Sequence, residues 1–129
     1  MKIDEFLTQI MERAGSGNTR EAEKQARAVL AALTDGLSHK EAVDLSSQLP
    51  KGLKDYVTGR LTNRGPVQKL DRDSFLGRVQ TSLGLGNREE AEHIARGVLS
   101  VLKEAIGWGE WDDVLSQISL DLQEMVLSA

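Results

Sequence analysis

The sequence contains itself. Sliding it by 69 positions lays residues 4–57 on 73–126 without a gap and gives twenty identities in fifty-four positions. The longest agreement pairs NTREAEKQARAVLAAL, Asn18 to Leu33, with NREEAEHIARGVLSVL, Asn87 to Leu102. Chance does not produce this, so two copies of one unit solve the same packing problem. Any element assigned in one copy must also be plausible in the other, which removes most alternative readings.

Within each copy the apolar residues recur at helical spacing. Phe6, Leu7, Ile10, Met11 and Ala14 mark a first helix, with Asp4 or Asp73 expected at its N-cap and Gly15 or Gly84 at its end. A second, longest helix starts at Asn18 or Asn87, with Glu21 or Glu90 three residues on as in a capping box. Ala22, Ala26, Val29, Leu30, Leu33 and Leu37 fall on one of its faces, as do Ala91, Ala95, Val98, Leu99, Leu102 and Ile106 in the second copy. Ile94 and Val101 replace Gln25 and Ala32, so the second copy's buried stripe is expected to be wider and its helix more central. Ser38 and Glu41 open a third helix, where Gly107 stands in the second copy, and Pro50 or Ser119 opens a short fourth. No alternating β pattern occurs. The expected fold is all-α: two tandem pseudo-symmetric four-helix units, 4–57 and 73–126, joined by a linker at 58–70 into one compact domain, the long helices at the centre.

At 129 residues the chain fits a single domain with a core of its own. It has no Cys, hence no disulfide framework or thiolate metal site, and a cytoplasmic location is expected. Acidic residues interrupt the apolar N-terminal stretch and no run approaches a membrane span, so neither export nor a membrane is expected. The net charge of -4 divides into about +2 for residues 1–69 (eleven basic, nine acidic) and -6 for 70–129 (five basic, eleven acidic). An acidic total argues against nucleic acid as a partner, unless Lys51, Lys54, Arg60, Arg64 and Lys69 form one continuous face.

The pattern DEFL, then GNxxEAExxARxVLxxL, SxxE and LSSQLP, present twice over nearly the whole chain, resembles a bacterial family known as domain of unknown function 2267. The resemblance implies a helical tandem-repeat domain without an established activity, substrate or catalytic residue. The second copy departs from the pattern at Gln117, Ile118 and Ser119, and by gaining Trp108 and Trp111.

Reactive constellations are sparse. His39 and His93 occupy non-equivalent positions, which gives no support to a His-based metal site or general base. Asp112-Asp113 and Glu89-Glu90 lack the alternating ligand loop of a calcium site and read as solvated helix faces. The GSGN and GLGN tetrapeptides precede helices but follow no strand and lead to no P-loop lysine. No catalytic residue, cofactor or metal ligand is therefore assigned. Arg27 and Arg96 are expected in structural ion pairs, the first with Glu23 or Asp44 and the second with Glu92 or Asp113. Trp108, Trp111 and Asp112 mark the expected partner surface, although Trp111 aligns with Ala42 on an apolar face and also suits the core. The expected function is a non-enzymatic interaction module, binding a protein partner or a second copy of itself. The alternative is a small-ligand or enzymatic site in a groove between the repeats, built from Asp44/Asp113 and Gln48/Gln117.

Overall fold

In the computed structural model, which describes residues 1–129, the helical periodicities become eight helices and no strand forms. They are α1 (Ile3–Ala14), α2 (Thr19–Asp35), α3 (His39–Ser46), α4 (Lys51–Leu61), α5 (Arg72–Leu83), α6 (Arg88–Ala105), α7 (Trp108–Leu115) and α8 (Leu120–Leu127). None is long and apolar enough to cross a membrane.

Local chemistry sets most of the boundaries. Gly15 and Gly84 end α1 and α5 in the left-handed conformation, at φ 77° and 63°, which a residue with a Cβ adopts only at a cost. Asn18 and Asn87 accept from the amides of Glu21 and Glu90, both at 2.8 Å. The first helix of each unit starts differently from expectation. α1 follows Lys2 with no side-chain cap, and α5 is capped by Asp71 in a reciprocal box with Ser74. Asp4 and Asp73 sit in the first turns instead, where a negative charge favours the helix dipole. α4 runs to Leu61, so residues 58–61 are helical, because Leu61 continues the buried face of Leu53 and Val57. Leu70 is buried too, packed so closely on Gly36 that a Cβ there would stand 2.5 Å from the Leu70 Cβ.

One core of thirty-five buried side chains draws on every helix, so the molecule has no second core to separate from it. The first helix of each unit packs on the long helix of the other, α1 on α6 and α5 on α2, while α2 also touches α6. The wider stripe expected for α6 is not found. Its Ile94 and Val101 are buried, but so are Gln25 and Ala32 of α2, and Gln25 stays inside because the Ser16 hydroxyl donates to its carbonyl.

The two cross-unit seams differ in closeness. On α1/α6, Ala14 meets Gly97, where a Cβ would lie 2.8 Å from the Ala14 backbone nitrogen. The residues 69 positions away on the α5/α2 seam are the larger Leu83 and Ala28. Both face an open groove.

Candidate functional site

The groove on the α2/α5 seam, closed on one side by α4, has a volume of about 820 Å³, within the usual range for small-ligand sites. α2 contributes Lys24, Arg27, Ala28, Ala31 and Asp35, whose spacing of three and four residues puts them on one stripe. Arg78 comes from α5, with Ser74, Gly77, Thr81 and Ser82, and Tyr56 and Arg60 come from successive turns of α4. Small side chains leave the space and long cationic ones reach into it.

Four cations, Lys24, Arg27, Arg60 and Arg78, therefore face a single lining carboxylate, Asp35. Arg78 Nη1 donates to Asp35 Oδ2 at 2.9 Å and Arg60 Nη2 approaches Oδ1 at 3.3 Å, so two guanidinium groups share one negative charge. Arg27 pairs with Glu23 at 2.8 Å, and Lys24 makes no ion pair. The Arg27 and Arg60 guanidinium carbons lie 4.9 and 5.9 Å from the centre of the Tyr56 ring, which holds both cations by their attraction to its π face. Arg64 donates to the Thr34 carbonyl at 2.6 Å. Of the basic residues at 51–69, Arg60 and Arg64 are thus engaged by groups of the protein itself.

A second constellation lies where α3 meets α7. The Ser38 amide donates to Gln117 Oε1 at 2.8 Å and the Gly107 amide to Gln48 Oε1 at 2.6 Å, so each glutamine caps the helix of the other unit. Between these caps Glu41 and Glu110, 69 positions apart, bring their carboxyl groups together, each only 8% exposed. Burial, then the adjoining Glu41 carboxyl, and then the charges of Asp44 and Asp113 push the Glu110 carboxyl up to about 8. Glu41 was legible in the sequence only as a capping residue, and its meeting with Glu110 depends on how the units dock.

Several sequence expectations change here. Of the pairings expected for the two arginines, Arg27 with Glu23 and Arg96 with Glu92, the latter at 3.0 Å, are the ones that form, whereas Asp44 and Asp113 join no ion pair and flank the Glu41/Glu110 seam. Asp44/Asp113 and Gln48/Gln117 do not line the groove between the units, because α3 and α7 dock on each other away from it. Trp111 is 2% exposed and belongs to the core, whereas Trp108 is 80% exposed and Asp112, four residues on, is exposed as well. Of the groove residues, Lys24, Tyr56 and Arg78 were missed, and Arg60 was read only as part of a basic face. Lys24, Tyr56, Arg60 and Arg78 lie on three separate helices, and their convergence leaves no trace in spacing.

No curated protein matches the chain. The family described as "Uncharacterized conserved protein (DUF2267)" matches residues 3–125, and the chain belongs to that family.

Proposed function

We propose that the protein is a non-enzymatic binding module of the bacterial cytoplasm whose α2/α4/α5 groove takes a small, multiply charged anion of the phosphorylated-metabolite class. One observation carries this reading: four cations against one carboxylate around a groove of about 820 Å³. A dianionic ligand competes with Asp35 for Arg60 and Arg78, and paired N–H donors suit phosphate oxygens. Ala28, Ala31 and Leu83 offer an apolar floor for the rest of such a ligand. The lining contains no His or Cys and no nucleophile paired with a base, which favours binding over catalysis.

The test is thermal melting and calorimetric titration of the full chain with pyrophosphate and with ADP, against sodium chloride at matched ionic strength. Either anion should raise the Tm beyond the salt control, and Arg78→Ala or Arg60→Ala should weaken binding by about tenfold or more, some 1.4 kcal/mol. Shifts no larger than those from chloride, unaltered in both variants, would end the reading.

The exposure of Trp108 favours a second reading, a docking surface for a basic partner such as the first half of another copy, since the two halves differ in net charge by about eight. Trp108→Ala should then abolish self-association in sedimentation while shifting stability by no more than about 0.5 kcal/mol. Association that survives the substitution would exclude this surface.

A further inference from the structure

We infer that the α3/α7 seam is a binding site for a hard divalent cation, chelated by Glu41, Glu110 and Asp113. One carboxylate oxygen from each of the three lies within 4.8 Å of the other two. Oxygens around Ca²⁺ at 2.3–2.6 Å stand up to about 4.6–5.2 Å apart across the ion, so the arrangement needs little adjustment to close on it. An all-oxygen donor set selects hard cations over the softer metals that prefer nitrogen or sulfur.

Burial supplies an observation separate from the clustering. The Oε2 atoms of Glu41 and Glu110 are both enclosed and have no hydrogen-bond partner. An enclosed carboxylate oxygen without a donor is costly, and native interiors satisfy nearly all such atoms. No Lys, Arg or His forms an ion pair with Glu41, Asp44, Glu110 or Asp113. A divalent ion gives the two enclosed carboxylates a positive partner and lowers the charge of the three ligands from -3 to -1. Asp113 is exposed and forms the open side, where water completes the shell. With one buried ligand from each unit, the ion clamps the two halves together at a point outside the groove lining.

The same enclosed oxygens are partly satisfied if Glu41 and Glu110 share a proton, and the experiment separates the two. Chelator-treated full-length protein is melted at about pH 8.5, where protons compete less for the ligands, with CaCl₂, MgCl₂, MnCl₂ or NaCl at matched ionic strength. The inference expects a rise in Tm with CaCl₂ beyond the NaCl control, growing with the logarithm of concentration. Glu110→Gln, which keeps shape and removes charge, should fold and lose that rise, and the exposed Asp113→Asn should weaken calcium affinity by about tenfold in calorimetry. If no divalent salt exceeds the NaCl control, or if Glu110→Gln folds and responds to calcium as the wild type does, the seam is a proton-sharing pair only and the inference fails.

Discussion

Equivalent residues in the two units meet different fates. Arg27 and Arg96 are 69 positions apart and each pairs with a glutamate one turn earlier, Glu23 or Glu92. Arg96 also reaches the Ser128 hydroxyl at 2.6 Å and the Met125 carbonyl at 3.4 Å, which ties α6 to α8. Arg27 has Tyr56 where the second unit has Met125, and its guanidinium lies on that ring at the groove. Arg96→Ala should therefore cost about 1–2 kcal/mol in denaturant unfolding, while Arg27→Ala costs less and shows instead as weaker pyrophosphate binding. Glu92 carries a pH dependence. Arg72 hydrogen-bonds it, and Arg72 and Arg96 together outweigh the opposing effect of burial and hold its carboxyl below the ordinary 4.5. A lowered folded-state value stabilises the protein above about pH 4.5 and that stabilisation is lost as pH falls through the folded value. Glu92→Gln should lose stability at neutral pH and depend less steeply on pH on the acid side of 4.5, as read by melts across that range.

At the scale of elements, the closeness of a helix pair decides whether its seam is a contact or a cavity. α1 comes near enough to α6 at Ala14 and Gly97 that no Cβ fits, and the obstructing atoms are the Ala14 nitrogen, Cα and Cβ, none of which can rotate away. Gly97→Ala should cost about 1–3 kcal/mol despite alanine's better helix propensity, as overpacking outweighs the gain of up to about 1 kcal/mol. A drop in Tm of several degrees would show it; an unchanged or raised Tm would mean that α1 can shift. On the α2/α5 seam the larger Ala28 and Leu83 stand in for Gly97 and Ala14, and the cationic groove opens there. The repeat thus yields one closed seam and one open one, and the open one carries the proposed ligand site.

For the whole molecule, α1 packs on α6 and α5 on α2 as well as each on the long helix of its own half, so one core is shared between the halves. Fragments 1–70 and 71–129 should each lack a cooperative melt by circular dichroism. Mixed together, they should regain helicity and one transition, since the surfaces they bury are each other's. Cooperative melting of either fragment by itself would show that a unit closes its own core.

Much of the helix pattern was legible in the sequence because its determinants are local: periodicity, the caps at Asn18 and Asn87, and the left-handed stops at Gly15 and Gly84 act within a few residues. The aligned repeat gave each assignment a second, independent reading. Tertiary structure alone decided which charges meet. Asp44 and Asp113 went to a carboxylate seam rather than to Arg27 and Arg96, and Trp111 went inward while Trp108 stayed out. Lys24, Tyr56, Arg60 and Arg78 came together from three helices. The physical reason is that a helix's own pattern fixes which of its faces is buried, but the partner that face meets depends on the closeness and crossing of whole helices, set here by single side-chain volumes such as Gly97 against Ala28.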